Sequence, residues 1–78
     1  MDRLVKLVKK KLREKGVTSL RVHKGRGTAV GWLEIHPKGY RDFTPEEREA
    51  VESIFGSRCG ANFFCILRTE GEMILGLR

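Results

Sequence analysis

The chain has few of the residue types that mark redox, metal or membrane proteins. Its 78 residues include two cysteines, two histidines, one asparagine and no glutamine. No apolar stretch approaches the roughly 18 to 20 residues that span a bilayer. The N-terminus also lacks the uncharged apolar core of a signal peptide. We therefore predict a cytoplasmic protein with no membrane partner and no structural disulfide.

The scarcity of amide side chains coincides with a high content of charge. A third of the residues are charged. Thermophilic proteins combine few thermolabile amides with extensive surface charge. The composition therefore indicates a thermophilic source and leaves the activity open.

The candidate metal ligands and nucleophiles are sparse and poorly spaced. Cys59, Cys65, His23 and His36 lack the close pairs that zinc sites show. Arg58 precedes Cys59, but no general base is adjacent to activate the thiol. The glutamates of the second predicted helix are typical of a solvated face near a helix N-terminus. We predict a protein that is not an enzyme, with no metal, cofactor or small-molecule substrate.

Positive charge is abundant and lies at one end of the chain. The formal net charge is +6 and the pI is about 9.8. From Asp2 to Arg26 ten lysine or arginine residues stand against two acidic residues, a net charge of +8. Residues 27–78 contain six basic and eight acidic residues, a net charge of −2. This asymmetry indicates a polyanionic partner for the N-terminal third.

The segment Asp2–Lys15 has the periodicity of an amphipathic helix that ends at Gly16. Its apolar side consists of Leu4, Val5, Leu7, Val8 and Leu12. Its opposite side is a basic stripe of Arg3, Lys6, Lys10 and Arg13, with Lys9 flanking it.

A β-hairpin follows the first helix. Val17–His23 and Thr28–His36 alternate as strands, and Lys24, Gly25, Arg26 and Gly27 separate them. A phosphate-binding loop would have to run from a strand into a helix, so these glycines fit a hairpin turn better. Lys24 and Arg26 on the turn, with Arg21 nearby, extend the predicted phosphate-contacting surface.

The second half of the chain repeats the order of helix and hairpin. Thr44-Pro45-Glu46-Glu47 is a capping box that starts a helix ending at Gly56. Ala61–Arg68 and Met73–Leu77 are predicted strands joined by a turn at residues 69–72. We predict a single α+β domain over residues 1–78, in αββαββ order. It would have a four-stranded antiparallel sheet and both helices on one face, a permuted ferredoxin-like two-layer sandwich.

Two functional hypotheses follow from this fold. In the first, a basic binding module contacts nucleic-acid phosphates through Arg3, Lys6, Lys10, Arg13, Arg21, Lys24 and Arg26. In the second, an assembly protein docks a partner or a second copy through its open sheet face. With Leu33 and Ile35 facing the helices, Val30 and Trp32 would point outward beside Phe63 or Phe64. Monomers rarely expose such an apolar patch, so this face would form a homodimer or protein interface at Val30, Trp32 and Phe64.

Overall fold

The computed structural model of the chain describes residues 3–25, 31–56 and 60–77. Within them three strands form one antiparallel sheet in the order β1-β2-β3, and three helices accompany it. The elements are α1 (Arg3–Glu14), β1 (Leu20–Lys24), β2 (Trp32–Pro37), α2 (Pro45–Phe55), β3 (Phe64–Leu67) and α3 (Arg68–Ile74). The predicted α+β class is confirmed. The predicted four-stranded sheet with two helices is wrong.

Helix α1 forms where the apolar periodicity predicts it. Leu4, Val8 and Leu12 are buried, and each lies about one helical turn from the next. Gly16 then adopts a φ of +79°, a left-handed conformation that favours glycine at a helix end. The amphipathic pattern therefore determines both the helix and the side that it buries.

The first hairpin is also confirmed. β1 and β2 pair antiparallel, with Val22 opposite Ile35 and Lys24 opposite Leu33. Leu33 and Ile35 are both fully buried, as the alternation predicts. The predicted turn residue Arg26 and the interface residue Val30 lie outside the described residues.

Helix α2 starts with the predicted capping box. The Glu47 amide donates to Thr44 Oγ1 over 3.2 Å, and the Thr44 amide donates to Glu47 Oε1 over 2.9 Å. Glu47 is only 3% exposed, so its carboxylate needs further donors. Arg41 provides them, with Nη1 and Nη2 each 2.8 Å from one carboxylate oxygen, and the Ser19 hydroxyl also donates to Oε2.

The predicted fourth strand is replaced by helix α3. The Arg68 amide donates to the Gly31 carbonyl over 3.0 Å as the last bond between the end of β3 and the start of β2. From Arg68 the backbone turns into a helix through Ile74. The apolar run that resembled a strand supplies Leu75 and Leu77, which pack partly buried against the core.

Gly71 lies inside helix α3, at a position where the sequence predicts a hairpin turn. Gly71 is buried, and a Cβ built on it would lie 3.5 Å from Leu4 Cδ2 and 3.8 Å from Phe55 Cε1. A methyl group at this position would therefore meet α1 and α2 at ordinary contact distances. In a sequence, a glycine inside a packed helix looks the same as a glycine needed for a turn.

We expect Gly71→Ala to raise the free energy of unfolding by about 0.5 to 1 kcal/mol, because alanine favours a helix interior over glycine. The added methyl group would meet Leu4 at an ordinary contact distance. Gly16→Ala is the matched control and should destabilise the protein by about 1 kcal/mol, because Gly16 has a positive φ. Urea denaturation measures both. Destabilisation by Gly71→Ala as large as that by Gly16→Ala would contradict the helical assignment.

One hydrophobic core lies between the sheet and the helices. Phe64 of β3 belongs to it, since it is 4% exposed and its ring centroid lies 5.1 Å from that of Phe55. The neighbouring Phe63 is 42% exposed. The buried apolar residues are Leu4, Val8, Leu12, Val17, Leu20, Val22, Leu33, Ile35, Phe43, Ala50, Val51, Phe55, Phe64 and Ile66. Among the described residues, the helices therefore cover one face of the sheet and leave the other open.

Candidate functional site

The side of α1 that faces away from the core is basic, as predicted. Arg3, Lys6, Lys10 and Arg13 are all exposed. Ten residues separate the first and last of them, which corresponds to about 15 Å along the helix axis. The helix therefore presents an extended row of cations to solvent.

A groove lies between the C-terminal half of α1 and strand β1. It has a volume of about 380 Å³. Leu12, Leu20 and Val22 contribute apolar surface from the edge of the core. Four cationic residues line it from three parts of the chain, and they are Lys9, Arg13, Arg21 and Lys38. We call this the basic groove, and none of the described residues that line it is acidic.

Strand β1 also turns backbone groups toward the basic groove. Just outside the β1–β2 pairing, the backbone amide of Lys38 donates to the Ser19 carbonyl over 3.2 Å. At the other end, the backbone amide of Gly25 donates to the Trp32 carbonyl over 2.9 Å. Because bonded pairs alternate along an antiparallel ladder, the backbone N–H and C=O groups of Leu20 and Val22 point away from β2. In the described part of the chain β1 pairs only with β2, so these groups face the groove.

The structure brings some of the predicted phosphate-contacting residues together and separates others. Arg13 and Arg21 line the same groove although they come from different elements. Arg3, Lys6 and Lys10 extend the basic surface along α1. Lys24 is exposed at the end of β1 but does not line the groove.

Lys38 lines the groove although no sequence pattern pointed to it. It follows β2 directly, and the hydrogen bond from its backbone amide to the Ser19 carbonyl holds it beside the start of β1. Lys9 was predicted only to flank the basic stripe, yet it is one of the lining cations. Both positions depend on how α1 crosses the edge of the sheet, which the periodicity of α1 does not specify.

The open face of the sheet is more polar than predicted. Trp32 lies on it, 37% exposed, opposite the 38% exposed Leu67. Phe64 points into the core, so placing it on this face was wrong. The other described residues that alternate onto this face are Arg21, His23, Glu34, His36 and Cys65. The apolar patch that suggested a homodimer interface is therefore reduced, in the described ranges, to the pair Trp32 and Leu67, while the exposed Phe63 lies near His36 at the other end of β3.

Two further properties limit what this surface can be. Within residues 3–25, 31–56 and 60–77, no group of three or more His, Cys, Asp or Glu side chains is placed to hold a metal ion. None of the helices in these ranges is long and apolar enough to span a membrane.

No protein family, no curated protein and no solved structure matches the chain significantly. Function must therefore be inferred from the site itself.

Proposed function

We propose that this protein is a non-enzymatic nucleic-acid-binding module whose basic groove contacts the phosphate backbone. The observation that carries the proposal is the meeting of Lys9, Arg13, Arg21 and Lys38 around one groove, with no acidic residue in its described lining. Protein–nucleic acid affinity comes largely from such cations neutralising phosphates.

The shape of the surface suits a chain of phosphates better than a single anion. The row from Arg3 to Arg13 extends about 15 Å, which is the axial rise of about four phosphates on one strand of duplex DNA. The groove adds cations beside one end of this row. A strand that follows α1 would meet successive positive charges and then enter the groove.

The backbone of β1 adds a second kind of contact. Backbone N–H groups are common donors to phosphate oxygens. The N–H groups of Leu20 and Val22 face the groove between the cationic side chains. These contacts would fix the position of a nucleic acid without reading its bases. We therefore propose binding with little sequence preference, in keeping with the cytoplasmic location predicted from the sequence.

Fluorescence anisotropy with labelled 20-nucleotide single strands and 20-base-pair duplexes tests this function. If each of the four groove cations contacts one phosphate, the logarithm of the duplex DNA association constant should fall with the logarithm of salt concentration with a slope of at least about −3 to −4, and contacts with Arg3, Lys6 and Lys10 make it steeper. A poly-glutamate peptide of equal length is the control for general attraction to polyanions. Absence of DNA binding at about 50 mM salt, or peptide binding as tight as DNA binding, would contradict the proposal.

Assembly through the open face has less support than nucleic-acid binding. That hypothesis required a sizeable apolar patch. Arg21, His23, Glu34 and His36 make the described face largely polar. We therefore do not adopt a dimer as the function of this surface.

A further inference from the structure

The two histidines of the chain meet on the open face of the sheet. His23 lies in β1 and His36 in β2, and the alternation of the hairpin puts both on the side away from the helices. Their Nε2 atoms are 3.0 Å apart, and their ring centroids are separated by 5.0 Å. The two rings therefore direct the same nitrogen atom at each other.

The other nitrogen of each ring faces a backbone carbonyl. His23 Nδ1 lies 3.1 Å from the Lys24 carbonyl oxygen, and His36 Nδ1 lies 3.0 Å from the Pro37 carbonyl oxygen. A carbonyl oxygen only accepts hydrogen bonds, so we assign the hydrogen of each neutral imidazole to Nδ1. Each Nε2 then presents a lone pair to the space between the two rings.

Two nitrogen atoms 3.0 Å apart can share a proton in a hydrogen bond, or they can bind one metal ion together. A metal ion placed about 2.0 to 2.1 Å from both nitrogens would subtend an angle of about 91° to 97° at this separation. Such an angle suits adjacent positions of square-planar or octahedral coordination better than tetrahedral coordination. Imidazole ligands in tetragonal geometry are typical of Cu²⁺ and Ni²⁺.

We propose that His23 and His36 form a binding site for a divalent transition-metal ion, with preference for Cu²⁺ and Ni²⁺ over Zn²⁺. The carbonyls of Lys24 and Pro37 would orient the two ligands, as hydrogen-bond acceptors commonly do behind metal-bound histidines. This site goes beyond the proposed function, because it uses the open face and requires no nucleic acid.

The surroundings of the pair set the strength expected of the site. Glu34 Oε1 lies 3.5 Å from His23 Nδ1, where its negative charge favours a bound cation. Arg21, opposite His36 in the register, and Lys24, next to His23, oppose it. Cys65 lies across from Glu34 on β3. Since the described residues offer no group of three ligands, water would complete the coordination, and we expect a dissociation constant on the order of micromolar.

Isothermal titration calorimetry with Ni²⁺ tests the site in the full chain, with both cysteines replaced by serine to remove thiol binding. We expect one ion per chain at about pH 7.5. His23→Gln and His36→Gln should each weaken binding by at least about tenfold, because each removes half of a chelate.

The Glu34→Gln variant tests whether Glu34 only positions His23 or binds the metal ion itself. It should weaken Ni²⁺ binding by a smaller factor than either histidine variant, because it leaves both Nε2 atoms in place. Thermal unfolding with EDTA present verifies that each variant folds. If a histidine variant does not fold, NMR on the chain that keeps both histidines takes the place of that variant. Bound Ni²⁺ should then broaden the signals of both His23 and His36.

Three outcomes would overturn the metal site. The first is absence of Ni²⁺ binding at about 100 µM to the folded chain, a concentration well above the expected dissociation constant. The second is loss of affinity in only one of the two histidine variants. The third is NMR broadening that leaves either histidine unaffected.

Discussion

Glu47→Gln should lower the free energy of unfolding at neutral pH by about 1 to 2 kcal/mol. Glutamine can still complete a capping box, but its NH2 group replaces one of the two oxygens that accept from Arg41, so the change removes the charge and one acceptor. The paired hydrogen bonds from Arg41 lower the pKa of Glu47 from 4.5 to about 2, with help from Ser19 and the Thr44 amide and against the effect of burial. At 1.36 kcal/mol per pKa unit, this lowering of the pKa limits the stabilisation by ionised Glu47 to about 3 kcal/mol. The Arg41 side chain is 37% exposed, so solvent screening reduces the effect.

The pH dependence of this difference has a defined sign. Because the folded-state pKa of Glu47 is depressed, its stabilisation is present above the unfolded-state pKa and is lost as the pH falls from about 4.5 to about 2. The stability difference between the two proteins should therefore shrink across this interval. Urea denaturation at a series of pH values measures it.

Glu49→Gln provides the matched control on the same helix. Glu49 is exposed, and its replacement should change stability by less than about 0.5 kcal/mol. If Glu47→Gln behaves like this control at every pH, the Arg41–Glu47 pair does not stabilise the fold.

Elements with a local chemical signature were predictable from the sequence. Helix α1 follows from its apolar periodicity and the glycine at its end. Helix α2 follows from Thr44, Pro45 and Glu47, whose capping interactions involve residues three apart. The strand alternation correctly oriented Leu33 and Ile35. Each of these features depends on neighbours in the chain and needs no knowledge of the tertiary structure.

Features that depend on tertiary contacts were not predictable in the same way. The sequence around Gly71 fits either a turn or a close helix contact, and the proximity of Leu4 and Phe55 decides between them. A shift of one residue exchanges the two faces of a strand, so adjacent phenylalanines left the direction of Phe64 open. His23 and His36 are thirteen positions apart, and only the hairpin register brings their rings together.

The basic groove combines both kinds of information. The exposure of Arg13 followed from the helical pattern, and that of Arg21 from the strand alternation. Their convergence with Lys38 required the packing of α1 along the edge of β1. The charge distribution in the sequence therefore predicted a polyanionic partner, and the fold shows which of the cations lie together.

The triple variant Lys9→Ala, Arg13→Ala and Arg21→Ala should weaken DNA binding on the order of a hundredfold at about 0.1 M salt. Each substitution removes one expected phosphate contact, so the salt-dependence slope for duplex DNA should become shallower by about 3. All three side chains are at the surface, and each change should alter stability by less than about 0.5 kcal/mol. Circular dichroism and thermal unfolding verify that the fold is intact.

A second triple variant removes the same amount of charge outside the basic groove. Lys11, Lys15 and Arg48 are exposed and do not line the groove. Replacing all three by alanine should change the salt-dependence slope by less than about 1, because long-range attraction persists while the direct contacts stay intact.

The difference in salt-dependence slope between these two triple variants tests the basic groove most directly. Both carry three fewer positive charges, so an effect of net charge alone cancels in the comparison. If the groove contacts phosphates, the slope of the groove variant should be shallower than that of the control by about 2 to 3 on duplex DNA. Equal slopes in the two variants would contradict a phosphate-binding groove between α1 and β1.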